Sequence, residues 1–237
     1  MNARSKNHTD TNTLQGLHLG APPVYEDYYE FDQSILVPKC HAMKDLCPKF
    51  MTKYQDHLEV GDAGSTAANE LDANDPEFET KYYRQPHMWP ELRDFIAWLE
   101  PRVHRILADQ WEFKYEFLMV TNSWVNRHGR GGWTNWHNHG NTDLNIAAYI
   151  TAPENSGDLI MADPLELHWM GYSQFKRTRD TAWNGYKLPA RTNAVYFFPS
   201  WMRHRTEASK TDEERWVLSI NFKAIPHRPD IAGNLIA

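Results

Sequence analysis

An α+β fold is what this sequence predicts: helices lead, strands follow, and the C-terminal half closes a β sandwich or barrel with the helices packed on one of its sheets. The first observation behind it is the stretch from Trp89 to Trp111. There Leu92, Phe95, Ile96, Leu99, Val103, Ile106 and Leu107 recur at the three-four spacing of an amphipathic helix. The second is a change of period after Trp111, from helical to alternating, the mark of strands whose two faces meet different surroundings. The third is that such alternating segments, separated by turn residues, continue to Phe222 with no internal repeat.

Taken in order, Met1 to Pro23 is polar, rich in Asn and Thr and without an apolar h-region. Residues 1–23 therefore read as a flexible tail and not a signal peptide, and residues 24–237 as a single domain. Val24 to Val37 reads as extended and Lys39 to Leu58 as helical. Val60 to Asn74, with Gly61, Gly64, Ser65 and Asn69, reads as an exposed loop. The Trp89–Trp111 helix has Pro90 in its first turn, and a kink is expected at Pro101. Phe113 to Val125 gives one or two strands, ended by a turn at Gly129-Arg130-Gly131-Gly132. Asp143 to Thr151 and Leu159 to Ala162 read as a hairpin pair joined through Pro153-Glu154-Asn155-Ser156-Gly157. Ala194 to Phe198 and Arg215 to Phe222 are two further strands.

Composition narrows the functions. Charged residues make up 24% of the 237, and the net charge is -6, so no basic surface invites nucleic acid. The longest apolar runs fall well short of the roughly 20 residues a membrane helix needs, so a soluble protein is expected, with no membrane partner. The two cysteines, Cys40 and Cys47, cannot make a disulfide framework and point to a reducing compartment. With His41 nearby they raise zinc, but no fourth ligand is evident, and helical spacing puts both thiols on one face. We read them as structural.

The strongest chemical signal is Trp133-Thr134-Asn135-Trp136-His137-Asn138-His139. Residues two apart on a strand face the same way, so both imidazoles can reach one metal while Asn138 faces away. Imidazole suits iron, zinc, copper and nickel. One such pair among twelve histidines is weak alone. His204 follows an apolar strand and a turn, where the chain can return a third ligand to the first two. Arg215 opens the next strand with a permanently charged fork of donors matched to a carboxylate, although an exposed partnership with Glu213 or Glu214 would explain it as well. Strand parity adds to this. Arg215, Val217, Ser219 and Asn221 share one face, as do Asp143, Asn145, Ala147 and Tyr149; Trp216, Leu218, Ile220 and Phe222, and Leu144, Ile146, Ala148 and Ile150, take the opposite faces. With no intervening bulge, His137 and His139 have the parity of Asn145 and Tyr149. The apolar faces then meet helices or a second layer, and the polar faces line a cavity rather than meeting water.

The order of motifs resembles a known family. Ser123-Trp124-Val125-Asn126, His137-Asn138-His139, Tyr149, Ser156-Gly157 and Asp163-Pro164 lead to Phe198-Pro199-Ser200-Trp201 with His204, then Arg215 with Ser219 and Asn221. Over roughly Phe113 to Phe222 the chain is similar to a bacterial and phage family of 2-oxoglutarate/Fe(II)-dependent oxygenases related to prolyl hydroxylases. The resemblance implies a double-stranded β-helix (jelly-roll, cupin-like) core, Fe(II), 2-oxoglutarate as cosubstrate and O2. It implies a peptidyl or small-molecule substrate and a cytoplasmic setting in a bacterium or a phage-infected cell. It makes His137 and His204 metal ligands and gives the distal carboxylate of 2-oxoglutarate to Arg215, with Ser219, Tyr149 or Asn145 adding hydrogen bonds. Three protein ligands on one face of Fe(II) would leave positions for the keto acid and dioxygen, and the products would be succinate, CO2 and a hydroxylated C–H bond.

Departures are also on view. The wider superfamily has a carboxylate where His139 stands. We take His139 as the third ligand, with Asp143 or Asp163 able to restore two histidines and a carboxylate. Asn145-Ile146 replaces the usual Ser-Gly, and Leu165 replaces the Arg that usually follows Asp-Pro. The rival readings are a cupin-type metalloenzyme that ignores 2-oxoglutarate and a non-catalytic jelly-roll module that binds through its tryptophans.

Overall fold

The computed structural model describes residues 15–17, 24–46, 58–66, 85–164 and 185–226. Its largest unit is a seven-stranded sheet in which every neighbouring pair is antiparallel. From one edge it runs β1 (Gln15–Leu17), β2 (Val24–Tyr28), β10 (Ala194–Pro199), β7 (Leu144–Thr151), β12 (Arg215–Ile225), β5 (Phe117–His128) and β4 (Ala63–Ser65). A second sheet holds β11 (His204–Thr206), β8 (Leu159–Met161) and β9 (Tyr186–Leu188); a two-stranded piece pairs β3 (Glu59–Val60) with β6 (Trp133–Thr134). An isolated bridge between His137 and His204 connects the chain after β6 to β11. From β7 the chain crosses to the small sheet for β8 and β9, returns for β10, crosses again for β11 and returns for β12, in keeping with the winding of a double-stranded β-helix. The fold is α+β, as expected.

Two apolar clusters hold the layers, and strand parity sorts residues between them. On the outer face of the large sheet, Leu144, Ile146, Ala148 and Ile150 and the alternate set Trp216, Leu218, Ile220 and Phe222 pack on the helices. The helices answer with Leu36 and Cys40 from α1 (Gln33–Leu46) and Phe95, Leu99 and Val103 from α2 (Arg93–His104). Between the sheets lie Tyr149, Phe198 and Val217 against Leu159, Met161 and Leu188. Burying each such side chain is worth roughly 1.5–3 kcal/mol, enough to fix which face of each strand turns inward.

Several boundaries differ from the sequence reading. The extended segment ends at Tyr28, and the helix begins at Gln33 rather than Lys39. Asp32 explains this as an N-cap: its side chain accepts from the Ser34 N–H at 3.1 Å, and its carbonyl from Leu36 N at 2.9 Å. Pro38 is carried inside that helix, and the remainder of the expected Lys39–Leu58 helix, including Cys47, lies largely outside the described residues. Cys40 is fully buried, and desolvation pushes its thiol up to about 12. α2 likewise runs through Pro101 and passes into a π turn at Arg105–Gln110.

The loop expected over Val60–Asn74 is, as far as residue 66, an exposed turn at Gly61 and Asp62 leading into the buried strand β4; residues 67–74 lie outside the described residues. β3 pairs with β6 in the two-stranded piece and β4 with β5 of the large sheet, so the turn between them joins the two. The glycines and serine of this segment are small because they pack closely. Gly61 sits at φ +70°, and a Cβ on Gly132 would overlap the Asp62 carbonyl oxygen.

The expected hairpin of Asp143–Thr151 with Leu159–Ala162 is instead an arch: β7 pairs with β10 and β12, β8 with β11 and β9. Positive φ at Asn155 and Gly157 turns the chain from one layer to the other. Of the 1–23 tail, only Gln15–Leu17 is described, as β1 on the sheet edge; Leu165 also lies outside the described residues.

Candidate metal centre

His137 and His139 follow β6 on a segment that has left regular strand geometry before β7 begins at Leu144. The continuous parity argued from sequence therefore does not apply to them. Main-chain pairing does the work instead. His137 N donates to His204 O at 3.0 Å, His204 N returns a bond to His137 O at 2.9 Å, and His139 N donates to Ser200 O at 3.0 Å. These bonds face the His137–His139 segment with Ser200–His204 and bring the three imidazoles together. Their ligand atoms all lie within 4.8 Å of one another, and the ring centroids of His137 and His204 are 4.2 Å apart.

The ring tautomers suit a cation. His137 Nδ1–H donates to Asn135 O at 2.8 Å, His204 Nδ1–H to Met202 O at 3.0 Å, and His139 Nδ1–H to Asn221 Oδ1 at 2.8 Å. Each ring spends its proton on a carbonyl and keeps its Nε2 lone pair. Burial lowers the pKa of all three: His137 below its ordinary value, His139 to about 4 with help from His137, and His204 well below its ordinary value with help from both neighbours. Three neutral imidazoles with convergent lone pairs fit a divalent ion of the imidazole-binding group. Asp143 is engaged elsewhere, with Lys223 Nζ at 3.2 Å and the Ala224 N–H at 2.8 Å. Asp163 does not join the histidine cluster.

A narrow cavity continues from the triad between the sheets. Trp124, Asn126, His128, Thr134, Tyr149, Leu159, Phe198, Thr206, Val217 and Ser219 line it. Arg215, fully buried, stands opposite His128 in the β12–β5 register. Its Nη1 donates to the carbonyls of Ser156, at 2.6 Å, and Gly157, while its Nε and Nη2 find no partner. Burial lowers its pKa, an effect opposed by the nearby groups of Tyr149, Glu59, Asp158 and Glu207. A buried guanidinium with two open donor positions is costly to maintain without an anion to complete it. Tyr149 is pushed up to about 12 by burial and stays a protonated donor. Ser219 Oγ lines the wall and accepts from Asn126 Nδ2 at 3.3 Å. Asn145 is fully buried; its Oδ1 accepts from Ser200 Oγ at 2.9 Å, and its side chain also bears on the His139 ring.

Residues 122–221 match the family described as "Putative 2OG-Fe(II) oxygenase". This segment is a 2-oxoglutarate/Fe(II) oxygenase domain. Its cofactors are Fe(II), 2-oxoglutarate and O2, and the His triad fits an iron site. No curated protein matches the chain. Among solved structures, the oxygenase is similar in fold to the carbocyclase SnoK from nogalamycin biosynthesis, described as non-heme and alpha-ketoglutarate-dependent. The TM-score is 0.53 at 15% identity, covering 100% of this chain and 92% of that one. A Pseudomonas putida prolyl-4-hydroxylase gives a TM-score of 0.47 at 10% identity, covering 87% and 95%. A Burkholderia pseudomallei oxidoreductase of the 2OG-Fe(II) oxygenase family gives 0.47 at 10% identity, covering 86% and 87%.

Sequence reasoning missed part of this oxygenase's cavity. His128 and Asn126 continue the alternation that starts at Trp124, so the parity of β5 could have found them. Burial and Arg215 hold His128 neutral, at about 4, and its Nε2–H donates to Thr134 Oγ1 at 2.7 Å. Glu59 carried no signal, because it lies outside the matched segment. Its Oε2 accepts from Thr134 Oγ1 at 3.1 Å and lies 3.5 Å from His128 Nε2.

Proposed function

We propose that this oxygenase is a hydroxylase: it converts 2-oxoglutarate and O2 to succinate and CO2 and places the second oxygen atom in a C–H bond of a peptidyl or small-molecule substrate. The observation that carries this reading is the buried Arg215, with two donor positions open, paired in register with His128 of the cavity that the three converging imidazoles line.

His137, His139 and His204 would hold Fe(II) through Nε2. The bound iron supplies dioxygen activation and the oxidative decarboxylation of the keto acid. The remaining work is done by the chain. Arg215 binds the distal carboxylate of the cosubstrate, and the Ser156 and Gly157 carbonyls hold its guanidinium in place beforehand. Tyr149 donates from its protonated phenol, and Ser219 offers a hydroxyl on the same wall. Asn145 is a buried carboxamide whose side chain bears on the His139 ring. Leu159, Phe198 and Val217 keep water from the reacting centre.

Anaerobic titration of the Fe(II) protein with 2-oxoglutarate tests the reading. A weak visible metal-to-ligand band should grow in and saturate, and Arg215→Ala should abolish it at the same cosubstrate concentration. Iron bound without that band, and turnover indifferent to Arg215, would favour a cupin-type enzyme.

A further inference from the structure

We propose that Asn221 is the positioning residue of the metal centre: its side-chain carbonyl sets the tautomer and aim of His139, and Asn122 keeps that carboxamide from turning over. The inference rests on the reading of His139 as the third ligand.

The three imidazoles solve the same problem in two different ways. His137 and His204 each give their Nδ1 proton to a main-chain carbonyl two residues earlier in the chain, Asn135 and Met202. Those acceptors come with the local backbone, and no side-chain substitution removes them. The acceptor of the His139 Nδ1 proton is a side chain from β12, 82 positions away, and the Asn145 carboxamide on β7 bears on the same ring to a lesser degree. The third ligand is thus the one whose orientation depends on tertiary structure.

A carboxamide can present either end. Turned over, Asn221 would offer its NH2 to His139 Nδ1, which could then only accept. The ring proton would move to Nε2, the atom that must carry the lone pair. Asn122 opposes that flip. Asn221 Nδ2 donates to Asn122 Oδ1 at 2.8 Å, and Asn122 Oδ1 also accepts from Thr121 Oγ1 at 3.1 Å. Asn122 and Asn145 are the register partners of Asn221 on β5 and β7, so a row of carboxamides crosses three adjacent strands beside the site. Asn221 is 3% exposed, so water does not readily replace its oxygen. A polar side chain that only filled the sheet would not need this orientation.

The test compares the full-length protein with Asn221→Ala, Asn221→Asp, Asn122→Ala and His139→Ala, each checked for cooperative unfolding. Long-range ¹H–¹⁵N NMR of the metal-free protein reads which ring nitrogen of His139 carries the proton. Competition titration with Co(II) gives the metal dissociation constant. The Nδ1–H form should dominate in the wild type and in Asn221→Asp, where the Asn122 amide can turn over to donate, and should be lost or mixed in Asn221→Ala. Co(II) affinity should fall about 10–100-fold in Asn221→Ala and return to within a few-fold in Asn221→Asp. Asn122→Ala, which leaves Asn221 in place, should weaken it less, and it decides the matter if Asn221→Ala does not fold. Unchanged tautomer and affinity in both alanine variants would overturn the positioning role while His139→Ala still loses metal. If His139→Ala keeps wild-type affinity, the third-ligand reading fails and the inference falls with it.

Discussion

At position 215 the choice between arginine and lysine is not neutral. The guanidinium gives one nitrogen to two carbonyls and keeps two donors for an anion, a division that one ammonium on a flexible stem cannot reproduce. Arg215→Lys is expected to retain the fold and to weaken 2-oxoglutarate binding by about tenfold or more, measured by calorimetry on the Fe(II) protein under nitrogen. An equal affinity would mean that charge alone suffices. His128 makes a different prediction, about pH. Its folded pKa, about 4, lies below the ordinary value because burial disfavours the imidazolium. Between those two values the unfolded chain binds more protons than the folded one. The contribution of His128 is therefore complete above about pH 6.5 and is lost as pH falls toward about 4. For a side chain 1% exposed, a shift of this size is on the order of 3 kcal/mol. Urea unfolding of the metal-free protein should show that loss on top of those from the three buried ligand histidines, and His128→Gln should reduce the pH dependence by about that amount. Both residues were on view in the sequence, but only Arg215 drew attention, because a guanidinium is matched to a carboxylate and the motif order gave it that part. His128 is informative only once β5 has a fixed inward face.

Among the elements, the β3–β4 segment differs most from its sequence. Its glycines and serine look like a solvated loop, since small residues report freedom and close packing in the same way. Here they report packing. Asp62 O accepts from Gly129 N at 2.8 Å, and Arg127 reaches the Asp62 carboxylate at 2.6 Å. Gly132→Ala should cost about 1–3 kcal/mol in denaturant unfolding, because a Cβ would meet a backbone carbonyl that has no room to move. A neutral result would return the segment to the status of a tolerant loop. The β7–β8 connection teaches a related lesson. A Gly-bearing link between two apolar runs fits a hairpin and an arch equally well, and the choice depends on which partners are present to pair. Helix α2 was easier to find because its period of apolar residues is a local property.

At the scale of the molecule, the helices and the large sheet are joined, among the described residues, by apolar contact and by a buried ion pair. Arg102 Nε donates to Asp27 Oδ2 at 2.6 Å, with both side chains 2% exposed, and the guanidinium lies 3.8 Å from the Trp98 ring centre. Removing one member leaves a charge in a low-dielectric interior. Arg102→Ala is expected to cost roughly 3–5 kcal/mol, and Asp27→Asn added to it should restore part of that loss. Thermal unfolding of the two variants gives the comparison; if the double variant is the less stable, packing by the arginine stem outweighs the stranded charge. Among the described residues, no helix is long and apolar enough to cross a membrane.

By itself the sequence determined the class of fold, the inward and outward faces of β7 and β12, and the residue types capable of holding a cation and a carboxylate. These follow from periodicity and side-chain chemistry, which act over a few residues. Tertiary structure alone decided that residues 137, 139 and 204 meet and that Asp143 is taken by Lys223. It also decided that Glu59 reaches Thr134 and His128 from a strand far upstream. Such outcomes depend on which main-chain groups pair across two sheets, and hydrogen bonds between distant segments leave no period in the chain that makes them.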